Sequence, residues 1–169
     1  MPISPYLHQL RTQIGHALLF VPSVTIITFD AHERVLLVRH RDRGLWVAPG
    51  GSVDPLEQPA DAAVREMWEE TGLLVEPIRI LGIYGGPAFH WFYANGDEIA
   101  YQQTVFLGRV IGGELKHDDD ELFELAYYTA EEAQALATPD WMPIVLADAF
   151  QHQQATYFRP PTWRPPIPT

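Results

Sequence analysis

The sequence predicts an α/β fold organised as one domain. Three observations lead there. Short β-branched and apolar runs alternate with segments of helical period. The chain's 169 residues suit a single domain. Its 47% apolar fraction suffices for a sizeable core, and no internal repeat or compositional break divides it.

Taken in order, residues 6–15 read as a short amphipathic helix. Tyr6, Leu7, Leu10 and Ile14 share one face, and Gly15 ends it. Residues 23–29 and 34–39 read as strands around the turn Asp30-Ala31-His32-Glu33. Residues 44–51 form a loop dense in glycine and proline. Residues 59–71 read as a helix, because Pro59 suits its first turn and Gly72 the position past its end. Strands follow at 73–84, interrupted by Pro77, at 98–110 and at 122–128, with Asn95-Gly96 as a turn before the second. Thr129 starts a helix whose first turn carries Glu131 and Glu132, and residues 142–154 form another. The expected domain is 1–157. Residues 158–169 hold five prolines and read as an extended tail, packed on its own domain or on a dimer mate.

Charge narrows the function. Asp and Glu outnumber Lys and Arg 22 to 11, the net charge is -11, and Lys116 is the sole lysine. That balance argues against nucleic acid or an anionic membrane as partner, since both bind through cationic surfaces. It leaves room for an anionic small molecule bridged to the protein by metal cations. There is no cysteine, so disulfides and thiolate metal sites are excluded. The first twenty residues lack the pattern of a signal peptide and no apolar run reaches 18 residues, so the expected location is cytoplasmic.

The chemistry concentrates between Gly51 and Leu73. Gly51 is followed after five residues by Glu57, then after seven more by Arg65-Glu66-Met67-Trp68-Glu69-Glu70-Thr71-Gly72-Leu73. Glu66, Glu69 and Glu70 stand at i, i+3 and i+4 and share one helix face. Like charges at that spacing repel by roughly 0.2–0.5 kcal/mol per pair, and the C-terminal half of a helix disfavours anions further. A hard divalent cation with oxygen ligands would compensate. Val64, Met67, Trp68 and Thr71 occupy the opposite arc and are expected to pack on the core. Three glutamates alone would read as a solvated acidic face; in register with Gly51, Glu57, Arg65 and Gly72 they read as a site.

This segment resembles the Nudix box at every specified position. Seven fixed identities make a chance match rarer than about one in 10⁸ per starting position. The resemblance covers the box directly and most of the chain by element order. It implies a mixed β-sheet between helices, an α/β/α sandwich. It implies a hydrolase that splits the pyrophosphate bond of a nucleoside diphosphate linked to a group X, by water attack at phosphorus. Glu69 and Glu70 would be metal ligands, Glu66 a ligand or the base, and the Gly50 carbonyl a backbone ligand. Gly51, Glu57, Arg65 and Gly72 would support the site, with Glu57 and Arg65 ion-paired. The implied cofactor is Mg2+, with Mn2+ as substitute. The substrate would be a nucleotide sugar such as ADP-ribose, or a nucleoside triphosphate in native or oxidised form. The alternative is a catalytically silent nucleotide-binding module, although such modules usually lose a box glutamate; an isomerase on the same fold is disfavoured likewise.

Weaker signals lie outside the box. In resembling proteins a further carboxylate often serves as ligand or base. Glu121, after the run His117-Asp118-Asp119-Asp120, is the first candidate and Glu124 the second. A regular strand would turn these two to opposite faces. Arg39, His40, Arg41 and Arg43 form the densest basic cluster, from which Arg39 and Arg41 are taken as substrate-binding residues. Phe89-His90-Trp91-Phe92-Tyr93 offers a base-stacking surface, a homodimer interface or buried packing. His90 has no Cys or His cluster beside it and is not read as a zinc ligand. Trp46 either packs under the glycine loop or lines the pocket. Pro87 lies 15 residues after Gly72, an offset that marks ADP-ribose hydrolases in the family, though Gly85-Gly86-Pro87 also reads as a plain turn.

Overall fold

Strong local signals set most element ends. The computed structural model describes residues 4–41, 44–116, 122–151, 154–158 and 160. It contains α1 (Pro5–Ile14), β1 (Leu19–Thr28), β2 (Val35–His40), β3 (Trp46–Val47), β4 (Gly50–Ser52) and α2 (Pro59–Thr71). Then follow β5 (Leu73–Tyr84), a 3-10 turn at Pro87–Phe89, β6 (His90–Phe92), β7 (Glu98–Gly113), β8 (Leu122–Tyr128), α3 (Ala130–Gln134) and α4 (Met142–Phe150). Thr129 caps α3 in a reciprocal box with Glu132.

One sheet runs β4-β1-β7-β5, with β6 also paired to β7; the other runs β3-β2-β8. β1 and β7 are parallel from Leu19↔Ile99 to Thr28↔Gly108, and the remaining pairs are antiparallel. The β1–β7 sheet is therefore mixed. Neighbouring side chains on β1 and β2 face opposite ways: Ile26 and Leu36 join a core with Ala62, Ala63 and Met67 of α2, while Ile27 and Leu37 join one with Met142, Val145 and Leu146 of α4. Helices thus cover both faces, an α/β/α arrangement, and strands buried on both sides read as unbroken apolar runs. Fully burying each such side chain stabilises the fold by about 1.5–3 kcal/mol.

Several expected ends move. β1 starts at Leu19 rather than at residue 23, because Pro22 lies outside the stretch paired with β4, which begins at Ser23. Residues 44–51 contain two short strands. β7 continues past residue 110 to Gly113, still paired with Leu73. α4 stops at Phe150, short of residue 154. Ahead of the proline tail, Tyr157 bonds the edge of β5: its N–H donates to the Leu81 carbonyl at 2.8 Å and its carbonyl accepts from Ile83 at 3.1 Å. Of residues 158–169 only 158 and 160 are described, so the tail lies outside the described residues, as do Arg43 and residues 117–121. No helix among the described residues is long and apolar enough to cross a membrane.

α1 buries none of its side chains and is held by polar contacts instead. Arg11 donates from Nη1 to the Gly15 and Ala17 carbonyls and from Nη2 to the Glu98 carbonyl. The buried Asp97 carboxylate takes Arg11 at 3.5 Å and His16 at 2.8 Å. The His16 hydrogen bond, opposed by desolvation, holds the Asp97 carboxyl below its ordinary range. A depressed carboxyl pKa stabilises the folded state above the unfolded value and loses that effect as pH falls through the folded value. Asp97→Asn is therefore expected to lower Tm at pH 7 by at least about 2–4 °C, the shift that about 1 kcal/mol gives a chain of this size. The gap from wild type should narrow between pH 5 and pH 3 in thermal scans; an equal gap at every pH would contradict the assignment.

Candidate active site

α2 carries the acidic residues and its two ends are fixed by backbone chemistry. Pro59 occupies its first turn, where a missing N–H costs nothing. Gly72 closes it in the left-handed conformation at φ 70°, and its N–H bonds the Trp68 carbonyl. A β-carbon at 72 would meet the Glu114 carbonyl at 2.6 Å, so no other residue fits.

The helix sits deeper than its pattern implies. Met67 and Thr71 are buried as expected, but Trp68 is 49% exposed, with Lys116 Nζ 6.0 Å above its ring. Glu66 and Glu70 are instead nearly fully buried, at 3% and 2% exposure, whereas the Glu69 side chain is 56% exposed. The small Ala62 and Ala63 let α2 approach the sheet, and the arc running from them through Glu66 to Glu70 turns inward. Gly50 lets β4 lie close against β1: a β-carbon there would lie 2.2 Å from the Val24 carbonyl. The Gly50 N–H donates to Glu70 Oε2 at 3.2 Å. This brings the Gly50 backbone, expected as a ligand through its carbonyl, against a box carboxylate.

Arg65 organises the rest. Its Nε and Nη2 donate to both Glu57 oxygens at 2.8 and 2.9 Å, and Nη2 also reaches the Ser52 carbonyl at 3.1 Å. Its Nη1 donates to Glu66 Oε1 at 2.8 Å and Glu69 Oε2 at 3.2 Å. Glu57 in turn accepts from the Asp54 N–H, closing the loop before α2. The Arg65 hydrogen bond holds the Glu57 carboxyl below its ordinary range, and Glu57 pushes the Arg65 pKa up. Burial pushes the Glu66 carboxyl up to about 7, with Arg65 opposing it.

These groups border a cavity of about 530 Å3. Glu66, Glu69, Glu70, Gly50 and Gly51 line it from the box; Ser23, Thr25, Tyr101 and Gln103 line it from β1 and β7. Phe89, Trp91, Tyr93 and Trp141 supply aromatic lining, and Leu7 and Arg11 come from α1. That volume suits a small-molecule ligand. The aromatic run thus divides: Phe89, Trp91 and Tyr93 line the cavity, Tyr93 bonding Tyr101 hydroxyl to hydroxyl at 2.8 Å, while Phe92 is 68% exposed. His90 bonds Glu98 at 2.7 Å. Pro87 opens the 3-10 turn.

Other expected residues land differently. Trp46, a candidate for substrate binding or for packing under the glycine loop, is 6% exposed and packs edge-on against Tyr128 in the α4-side core; it does not line the cavity. Its place on β3 beside β2 directs the ring into that core. Arg39 donates from Nε to the Gly44 carbonyl and Arg41 is exposed, and neither lines the cavity. From the basic cluster it is His40 that does, with Nε2 3.4 Å from Glu70 Oε1. Glu121 lies outside the described residues. Glu124 is exposed and pairs opposite Arg39; Leu125 and Tyr127 of the same strand pack in the α2-side core. Sequence reasoning passed over Arg11, Asp97, Gln103 and Trp141, which carry no local pattern.

The donor set fits a divalent cation. Among the described residues no three His, Asp or Glu side chains converge into a closed cage. Yet the expected ligands, the box carboxylates and the Gly50 carbonyl, are all oxygens, and Mg2+ binds through one or two carboxylates while water and substrate phosphate complete its shell. Two buried carboxylates beside one arginine also call for added positive charge.

A family model described as the NUDIX domain matches residues 19–149. A candidate 8-oxo-dGTP diphosphatase of Bacillus subtilis (strain 168) is 31% identical over 122 residues, covering 72% of this chain and 75% of that protein. An ADP-ribose pyrophosphatase of Methanocaldococcus jannaschii is 37% identical over 103 residues, covering 57% of each chain. A solved NUDIX hydrolase from Nitrosomonas europaea aligns with a TM-score of 0.64 at 25% identity, covering 79% of this chain and 90% of that one. The MutT protein of Bacillus halodurans aligns at 0.66 and 25%, covering 80% and 85%.

Two carboxylates buried close together should be relieved by a bound cation. Mg2+ is expected to raise Tm by linkage, by the equivalent of about 2.7 kcal/mol at roughly 100 times Kd. Glu69→Gln and Glu70→Gln should each reduce that gain, and Glu70→Gln without metal should melt no lower than wild type. An identical metal-induced shift in all three proteins would place the ion elsewhere.

Proposed function

Since the chain belongs to the NUDIX domain family, and so to the Nudix pyrophosphohydrolases, we propose that it hydrolyses a nucleoside diphosphate linked to a group X, with Mg2+ or Mn2+. One observation carries this: the complete box assembles two buried carboxylates on the border of a cavity large enough for a nucleotide. The names of two relatives supply the substrate options, ADP-ribose as a nucleotide sugar and 8-oxo-dGTP as an oxidised triphosphate.

Glu66, Glu69, Glu70 and the Gly50 carbonyl would hold the cation. Bound there, it would neutralise the diphosphate and make water a better nucleophile. The protein's own groups do the positioning. Arg65 keeps Glu66 and Glu69 in place, and the Gly50 N–H orients Glu70. The aromatic side chains offer stacking area for a base. Glu66, or Glu121 from outside the box, is proposed to take the proton of the attacking water. Water adds at phosphorus, the bridging oxygen leaves with the other phosphate, and two phosphate monoesters result when X is a sugar; a triphosphate gives a nucleoside monophosphate and pyrophosphate.

A chromatographic screen of nucleotide sugars, triphosphates and dinucleoside polyphosphates is expected to show turnover that chelator abolishes and Mg2+ restores. Glu70→Gln should lower kcat by roughly 10²-fold or more with the fold intact, the scale of an essential charge in the transition state. Near-normal turnover would remove Glu70 from the mechanism. Outside the box, Glu121→Gln is expected to lower kcat by roughly 10²–10⁴, the worth of a positioned base, and Glu124→Gln to change it little. If neither matters, the base lies within the box and Glu66 becomes the candidate.

A further inference from the structure

Gln103 is 7% exposed, lines the cavity, and uses only one end of its carboxamide. Its Nε2 donates to Thr25 Oγ1, while its Oε1 is buried with no hydrogen-bond partner. A buried carbonyl oxygen left without a donor destabilises the fold, so a side chain aimed this way implies a partner that arrives from the cavity.

Its position says what kind of partner. Thr25 pairs with Gly50 across β1 and β4, and the Gly50 N–H holds Glu70. Only Thr25 and Gly50 therefore separate the carboxamide from the box. Two residues before it on β7, Tyr101 joins Tyr93 of the aromatic lining. A nucleotide with its phosphates at the carboxylates and its base among the aromatic side chains would cross Gln103 with its nucleoside part. The unpartnered acceptor repels phosphate oxygens and suits a neutral donor.

We infer that Gln103 is a specificity-determining residue whose carboxamide oxygen accepts a hydrogen bond from the nucleoside part of the substrate, either a sugar hydroxyl or a base N–H. This rests on the hydrolase function proposed above and adds to it the feature by which the cavity selects its nucleotide. Thr25 acts as a positioning residue, since its hydroxyl accepts from Nε2 and so holds the carboxamide in place beside the cavity.

The test compares the best substrate of the screen with two sets of analogues. One set lacks the 2′ or the 3′ hydroxyl; the other lacks the exocyclic amino group or a ring N–H of the base. Wild type should discriminate against one set, and Gln103→Met, which keeps the size but removes the acceptor, should reduce that kcat/KM ratio by at least about tenfold. Thr25→Val should relax the same ratio. The set affected tells whether sugar or base supplies the donor. A ratio unchanged in Gln103→Met overturns the inference, and so does a uniform loss on every compound, which is what a merely structural role would give. If wild type hydrolyses nothing, the hydrolase reading fails separately. Calorimetric titration with nucleoside monophosphates and the same analogues then still decides Gln103: a roughly tenfold weaker Kd confined to the donor-bearing ligand supports it, and equal affinity overturns it.

Discussion

The guanidinium of Arg65 is the constraint on which the site depends. Its planar fork engages both oxygens of Glu57, the Ser52 carbonyl, Glu66 and Glu69 at once. A lysine, a point charge with no fork, could not make these bonds together. One side chain thereby ties the loop after β4 to α2 at the edge of the cavity. Glu57 completes the tie through the Asp54 N–H, so the loop's path is set by the same charge pair that orders the acids.

Burial of Glu66 and Glu70 follows from that tie. An exposed acidic helix would let its carboxylates separate in water, where repulsion is weak. Here the small, buried Ala62 and Ala63 let the helix lie close to the sheet, the Gly50 N–H holds Glu70, and two carboxylates are taken out of solvent. That arrangement costs stability when no cation is bound, and on the proposed function the cation is what would let a chain of net charge -11 serve an anionic substrate. The cavity beside the acids is assembled from distant elements: α1, the β6–β7 hairpin and the segment leading into α4.

What the sequence made legible was local. Pro59 and Gly72 delimit α2, Leu73 to Tyr84 is a strand despite Pro77, and Thr129 caps its helix, because each signal lies within a few residues of what it controls. The identity and spacing of the box residues were equally plain. Depth was not: period put Trp68 on the core-packing arc and the glutamates on the opposite face, whereas the structure leaves Trp68 half-exposed and buries Glu66 and Glu70 beside Ala62 and Ala63. Neither were contacts across the chain. Arg11 meets Asp97 and Gln103 meets Thr25 only because β1 and β7 lie side by side, and nothing within a ten-residue window records that pairing. Trp46 has a similar history, since an aromatic before a glycine loop suits a pocket or a core equally well until β2 turns it into the core.

On the proposed function, the Arg65–Glu57 pair positions the carboxylates that would bind the metal and does not itself touch the ion. Calorimetric titration of Mn2+ into wild type and into Glu57→Gln tests it most directly, with far-UV circular dichroism as the check on folding. A positioning role predicts affinity weaker by about 10–100-fold in a variant that keeps its secondary structure, the range seen when groups supporting metal ligands are removed. Unchanged Mn2+ affinity in a folded Glu57→Gln protein would contradict it.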